Sequence, residues 1–425
     1  MKYKQFIFKD YVFDENTKVL KLTYGMDQAL KFTETYKFDF DFAPHDTFAL
    51  DQAFQLLFFM AGVSYYELYI PPEIVIQKGK LDAPLAQFFA KTYQRGLGEF
   101  WYLNQLDPNT PIAFPVTSSA IKPVQHTGRG LLASVGGGKD SLVTIELLRG
   151  NYPDLTTWSV NHRPQLTPLV ERIGLPHLWV ERTWDPQIPE LKKQDALHGH
   201  IPISGIFACV GTIVAVLGGK HAVVMSNEQS ANEPTLQYKG VDINHQYSKS
   251  QEFEQDYQAV LRHLFSGTVN YYSLLRPFSE LRIAELFAKL GFDKYKDVFS
   301  SCNRAYIHGS DHMSWCGACP KCAFTFLVLT PFVSQADLEK LWGGKNLLKD
   351  PALGTIYEQL LGITGDKPLE CVGEVKESRA AMTMAQTVYP ELLKYHYELP
   401  PSYDYRTIYP SNMPQDMLRL VLSQV

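Results

Sequence analysis

The chain has 425 residues, 45% apolar and 20% charged, with 28 Gly and 26 Pro; these are globular values that exclude disorder, a collagen-like repeat and a disulfide-dense scaffold, and the length suits about two or three domains. Lys plus Arg is 40 against 45 for Asp plus Glu, a net charge of −5, so there is no global attraction for a polyanion and no nucleic-acid partner is expected. Six cysteines are too few for a disulfide framework, and their spacing matters more than their number.

The opening MKYKQFIFKDYVFDE alternates apolar and charged residues and lacks the continuous apolar stretch of a signal peptide. The longest apolar run, about 206–217, is broken by Gly211 and Thr212. It falls short of the ~20 residues of a spanning helix. Neither export nor membrane association is expected, and the protein is expected in the cytoplasm. Residues 1–40 follow period two through Phe6, Phe8, Val12, Leu20, Leu22, Leu30, Phe32 and Tyr36, with breaks at 14–16 and 25–27. This predicts an antiparallel meander with one buried face. Helical patterns follow over 47–61 and 84–95, with Pro71-Pro72 as a break between them. Residues 1–125 hold no catalytic constellation and read as a packing and substrate-shaping region.

From about residue 128 short apolar strands alternate with helices. GLLASV is followed by glycines and then DSLVTIELLRG at helical spacing; LTTWSVN, HLWVER, HAVVMSN and YYSLL are further strands, with helices over 203–217, 251–264 and 279–290. The expected fold is α/β, a Rossmann-like doubly wound parallel sheet over 126–345, which binds ligands beyond the carboxyl ends of its strands. Residues 346–425 are expected to form a helical C-terminal region. No repeat or low-complexity segment is evident.

The sharpest local feature is Ser134-Val135-Gly136-Gly137-Gly138-Lys139-Asp140-Ser141, after a strand and opening a helix. Glycines let the backbone approach an anion, and the helix N-terminus supplies N–H groups and a positive dipole end. The P-loop is excluded because Ala133 holds its first glycine position and Asp140 follows Lys139, and the dinucleotide pattern fails at Ser141. GGGKDS instead resembles, at five of six places, the Ser-Gly-Gly-x-Asp-Ser loop of the N-type ATP pyrophosphatases (the PP-loop superfamily). Gly136 stands where that loop has its leading serine, and Ser134 is a candidate to supply the missing hydroxyl.

Cys302, Cys316, Cys319 and Cys322 lie within 21 residues. Four thiolates close a tetrahedral zinc site with no open position, so such a zinc would be structural; an iron–sulfur cluster is the alternative. Cys209 and Cys371 read as inert core thiols. Three further stretches carry more polar residues than packing needs: LHGHIPISG (197–205), MSNEQSANE (225–233) and NHQYSKS (244–250). Asn227 and Glu228, at a strand's carboxyl end, are candidates for magnesium or ribose, and Asn161, closing the strand LTTWSVN, for the nucleotide.

In order, SVGGGKDS, GHIPIS, SNEQSANEP, NHQYSKS and CGACPKCAF, spanning about 130–330, resemble the UDP-N-acetylmuramoyl-L-alanyl-L-glutamate epimerase family. The resemblance implies an enzyme of peptidoglycan synthesis that uses ATP and magnesium to invert the terminal L-Glu of a UDP-linked muramoyl dipeptide. An acyl adenylate would form, and AMP and diphosphate would leave. It implies Gly136, Gly137, Gly138 and Ser141 at the phosphates, Asp140 beside magnesium or the phosphate chain, and Lys139 as a charge partner for diphosphate. His200 and His245 are the first candidates for proton transfer, with His198, Tyr247 and Cys209 behind them. Arg163, Lys239, Lys249 and Arg304 are candidate clamps for carboxylates or the uridine diphosphate. A nucleobase- or tRNA-modifying pyrophosphatase resembling 7-cyano-7-deazaguanine synthase, and a non-catalytic nucleotide-binding module, are the alternative readings. Oligomeric state is left open by the sequence.

Overall fold

The computed structural model describes residues 2–306 and 310–425. The predicted meander forms from β1 (Gln5–Asp14), β2 (Val19–Met26) and β3 (Leu30–Asp39), paired antiparallel with a bulge between Phe8 and Asp10. Phe6, Phe8, Leu20, Leu22, Tyr24, Phe32 and Tyr36 are buried. Helix α1 (Thr47–Ala61) starts where the Asp46 carboxylate accepts from Phe48 N and Ala49 N. The helical stretch Thr47–Tyr66 is long and apolar enough to cross a membrane, yet 78% of its apolar window is buried inside the protein. Strand β4 (Glu73–Ile76) follows Pro71-Pro72 and pairs parallel to β1; four residues are too short for a periodicity signal. Helix α2 (Ala83–Gly96) matches its predicted span to within a residue.

The α/β part runs β5 (Leu131–Ser134), α3 (Lys139–Arg149), β6 (Leu155–Val160), α4 (Arg163–Ile173), β7 (His177–Thr183), α5 (Ile203–Leu217) and β8 (Ala222–Met225). It continues through the hairpin β9 (Leu236–Tyr238) and β10 (Val241–Ile243), then α6 (Gln251–Phe265), β11 (Asn270–Ser273), α7 (Glu280–Leu290), α8 (Pro320–Leu329) and α9 (Val375–Gln386). The pattern did not predict α4, which carries Pro164 and Pro168. Pro164 sits in the first turn, where no intrahelical N–H bond is needed.

One nine-stranded sheet has the order β11-β8-β5-β6-β7-β3-β2-β1-β4. Strands β11, β8, β5, β6 and β7 are mutually parallel, and β3 adds antiparallel to β7. The fold is α/β: the strands that 126–345 contributes to this sheet are parallel as expected, and the sheet as a whole is mixed because the antiparallel meander, expected as an N-terminal region of its own, completes the open edge of β7. Alternation along the parallel strands feeds two cores: Leu131, Ala133, Ala222 and Val224 face one, Leu132, Val223 and Met225 the other. The C-terminal region is less helical than predicted. Beyond α9 and the short helices Gly354–Leu360 and Gln415–Leu422, it is largely irregular connection and 3-10 turns, since its prolines lack the N–H a helix needs.

The seam between β3 and β7 holds a buried ion pair. Arg182 Nε is 2.6 Å from Glu34 Oε1 and Arg182 Nη2 is 3.1 Å from Ser64 Oγ. Removing one partner strands a charge in an apolar setting, so Glu34→Ala is expected to lose about 3–5 kcal/mol in urea unfolding. A loss below about 1 kcal/mol, the level of a surface pair, would show that the pair does not hold the seam.

Chain order places β6 on one side of β5 and β8 on the other. The carboxyl ends of β5 and β8 thus flank the point where the winding reverses, and a crevice opens there.

Candidate active site

The loop leaving β5 enters α3 with Gly138 as N-cap, so the positive end of that helix lies at the crevice. Gly137 has φ +86°, and a Cβ there would meet Met313 Sδ and Tyr306 Oη at 2.5 Å; only glycine fits. Three bonds clamp the loop from the 300–306 segment. Tyr306 Oη donates to Gly136 O (2.7 Å), Ser300 N to Gly137 O (3.0 Å) and Lys139 N to Ser301 Oγ (3.2 Å). Ser141 Oγ donates to Gly138 O at 3.0 Å.

A cleft of about 650 Å³ runs outward from this loop. Ser134, Gly136, Gly138, Asp140 and Ser141 line one side, and His200, Asn227, Glu228, His245, Lys249 and Cys371 line the other. A second pocket of about 370 Å³ shares Ser134 and Gly136 and is walled by Trp158, Asn161, His162, Trp184 and Tyr306. The His162 and Tyr306 rings stack with centroids 4.0 Å apart. Asn161 bounds this pocket, but its amide is engaged elsewhere: Nδ2 donates to Arg182 O (3.1 Å) and Oδ1 accepts from Arg182 N (2.6 Å).

Lys139 does not reach the cleft. Its side chain is fully buried and ion-paired with both Asp140 and Glu280, and Glu280 also meets Lys321 Nζ at 3.4 Å. Burial opposes the lysine's charge, but the two carboxylates outweigh it and hold its pKa above the ordinary value. The expectation that Lys139 contacts diphosphate is corrected on that ground: its charge is already spoken for inside the protein. Glu228 takes the opposite shift. Burial first, and then the Glu280 and Asp140 carboxylates, push its carboxyl up to about 7. Asn227 donates to Ser273 Oγ at 3.0 Å.

Arg276, wholly buried, joins the two polar walls. Nη1 donates to Glu228 O at 2.6 Å, and Nη2 donates to Lys249 O and to Glu254 Oε2. Lys249 Nζ then lies 3.1 Å from Cys371 Sγ. His245 is paired through Nδ1 with Glu99, and its ring lies 4.2 Å from that of His200. Burial would favour a neutral Cys371 thiol, but Lys249, His245 and Lys321 bring it down to about 6. Burial likewise disfavours the His245 cation, yet Cys371 and Glu99 lift it to about 9. His200 goes the other way, pushed down to about 3 by burial and by the charges of His245 and Lys249.

The four clustered cysteines converge. Cys302 and Cys319 sulfurs are 3.9 Å apart, those of Cys316 and Cys322 are 3.8 Å apart, and all four lie within 4.8 Å of one another. A tetrahedral ion with metal–sulfur bonds of about 2.3 Å separates its sulfurs by about 3.8 Å, so the set fits one ion such as zinc.

Other candidates fall elsewhere. Cys209 is buried in α5 and pushed up to about 12 by burial. His198 is exposed, and Tyr247 is buried under the Arg95 guanidinium. Arg163 pairs with Asp39, Lys239 lies over Tyr238, and Arg304 is exposed. Of the four proposed clamps, Lys249 alone lines the cleft. Cys371 is the main omission, having been read as an inert core thiol. It stands outside the motif-bearing stretch and 122 residues from Lys249, so no local pattern marks it. Glu99 and Glu280 were missed for the same reason, since each reads locally as an ordinary first-turn helix acid.

The MurL N-terminal domain matches residues 1–274 and the MurL C-terminal domain residues 298–391. The chain belongs to the MurL family. It is 40% identical over 386 residues to a UDP-N-acetyl-alpha-D-muramoyl-L-alanyl-L-glutamate epimerase of Xanthomonas oryzae pv. oryzae, covering 89% of this chain and 85% of that one. Proteins of the same description from Salinispora tropica and a Micromonospora species are 38% and 37% identical, each over 89% of this chain and over 84% and 86% of theirs. The MurL matches take in the meander, the glycine loop and the cysteine cluster together. They also confirm the family recognised from the motifs of 130–330.

Proposed function

We propose that this MurL-family protein is an ATP-dependent epimerase that inverts the terminal L-Glu of UDP-N-acetylmuramoyl-L-alanyl-L-glutamate through an acyl adenylate, releasing AMP and diphosphate. One observation carries the reading: a glycine loop at a helix N-terminus shares a single cleft with Asp140, Glu228 and a group of opposed-pKa bases. The loop is of PP-loop type on this proposal. Gly136, Gly137, Gly138 and Ser141 hold phosphates, with the Ser134 hydroxyl beside them, and the aromatic-walled pocket next to the loop takes a nucleoside base. Asn161 shapes that pocket, and Asn227 lies toward the ribose.

The carboxylates of Asp140, Glu228 and Glu280 converge, and burial together with repulsion from the other two raises Glu228. That donor set fits magnesium, which Asp140 and Glu228 would hold together with phosphate oxygens and whose charge would stabilise the leaving diphosphate. Lys139 pairs with Asp140 from behind and aims it into the cleft. Zinc is the ion proposed for Cys302, Cys316, Cys319 and Cys322, in a structural role.

Adenylation makes epimerisation feasible. Removing the α-proton beside a carboxylate would create a dianion; the acyl adenylate has no such charge, and its carbonyl oxygen accepts the developing negative charge. His245, held as a cation by Glu99, and His200, kept neutral, form a proton-transfer pair at the cleft wall. Residues 1–125 would shape the UDP-linked substrate's site, 126–345 bind ATP and 346–425 close the cleft. A UDP-linked substrate implies work in the cytoplasm.

The test is incubation with ATP, Mg²⁺ and the UDP-linked L-Ala-L-Glu substrate in D₂O. AMP, diphosphate and a D-glutamyl product carrying deuterium at Cα are expected. AMP formed only with a deazapurine acid or tRNA would overturn the reading.

A further inference from the structure

Cys371 is a titratable cleft group that the chemistry above leaves unused. It reaches the cleft from the segment just before α9, far in sequence from every other member of the site. Two bonds to the preceding Glu370 hold it there: Glu370 Oε2 accepts from Asn303 Nδ2 (2.9 Å) and from Lys321 N (3.1 Å). Both donors belong to the segment that carries the metal-fitting cysteines and clamps the glycine loop. The sulfur is therefore positioned by the same element that positions the phosphate-binding backbone.

Around Cys371 the charges form an ordered chain. Lys249 Nζ is 3.1 Å from Sγ. His245, from the segment between β10 and α6, bears on the thiol and is itself oriented by Glu99 through Nδ1. A thiol, an imidazole and a carboxylate in sequence is the arrangement that activates a cysteine, because the third group fixes the tautomer and charge of the second. Here a lysine adds a second cation. The surroundings favour thiolate over thiol near neutrality.

We propose that Cys371 is the base that removes the glutamate α-proton. This rests on the acyl-adenylate reading above. In the step, the Cα–H bond breaks, the S–H bond forms, and the electron pair passes into the adenylate carbonyl as an enolate. A solvent-derived proton then reaches the opposite face to form the new Cα–H bond. The thiol returns its proton to solvent through the adjoining His245–His200 pair. Lys249 and His245 are positioning residues, holding the sulfur ionised while the carboxyl end of the substrate is neutralised as an adenylate.

The test separates the two half-reactions in the full-length protein with its metal in place. Wild type, Cys371→Ala and Cys371→Ser are each assayed for ATP–diphosphate exchange, which reads adenylation alone, and for deuterium entry at Cα in D₂O. Both variants are expected to keep adenylation within a few-fold of wild type. Deuterium entry is expected to fall by about 10²–10⁴-fold, the usual worth of a general base. Wild-type deuterium entry is expected to rise with pH through about 6, as the thiol of Cys371 ionises, and iodoacetamide should label Cys371 and stop exchange with the same pH dependence. Undiminished deuterium entry in Cys371→Ala would overturn the proposal, and so would an equal loss of both half-reactions. If wild type itself makes neither AMP nor exchanged product, the epimerase reading fails instead.

Discussion

Asp140→Asn is expected to reduce AMP formation by on the order of 10²–10³-fold or more, the cost of losing one preorganised charge at a phosphoryl centre. The substitution keeps the side chain's shape and removes its charge. Lys139 would still be paired with Glu280, so the buried lysine is not left alone and the fold should survive. A thermal midpoint within a few degrees of wild type is the control, since the change sits at a partly exposed carboxylate rather than in the core. The contrasting variant is Glu280→Gln. It removes the fully buried partner of Lys139 and Lys321, and it should lose about 3–5 kcal/mol of stability as well as activity. Unchanged AMP formation in Asp140→Asn would remove Asp140 from the reaction.

The second large effect follows from the cysteine cluster. Metal analysis is expected to find about one zinc per chain, and stripping it with a strong chelator should lower the melting temperature and stop AMP formation together. The coupling is structural. Cys302 follows directly on Ser300 and Ser301, whose bonds to Gly137 and Lys139 hold the glycine loop, and Tyr306 holds Gly136. Structural zinc contributes of order 10 kcal/mol of binding free energy to the elements it joins, enough to keep this clamp closed. Cys319→Ser should behave like the stripped protein, because it removes a thiolate ligand candidate while serine can still cap α8 and accept from Cys322 N. A metal-free protein that turns over at the holoprotein's rate would show that the cluster does not brace the loop. Iron with visible absorbance would replace zinc by a different centre.

Much of the site was readable because its parts are local. A glycine loop between strand and helix, a four-cysteine run and polar stretches at strand ends each carry their chemistry within a few consecutive residues. The structure gathers Asp140, Ser141, Asn227, Glu228, His200 and His245 around one cleft, which follows from parallel strands presenting their carboxyl ends on one edge. Roles that depend on partners were not readable in this way. Lys139 looked like a phosphate ligand because lysine often is one beside a glycine loop, yet Glu280, from a helix 141 residues away, draws it inside. Arg163 looked like a clamp and instead pairs with Asp39 on the meander.

Composition and period by themselves determined the meander, α1, α2, most of the alternating strands and helices, the glycine loop and the metal-fitting cysteines, because each is set by backbone geometry and side-chain type over short distances. Tertiary structure alone decided that β3 completes the edge of β7 and that Lys139 is buried. It also decided that Cys371 is an ionisable cleft residue rather than an inert one. The reason is physical: strand-edge pairing and the charge state of a thiol depend on which distant groups come within a few ångströms, and the meander's open edge, Glu280, Lys249 and His245 arrive there only when the chain folds.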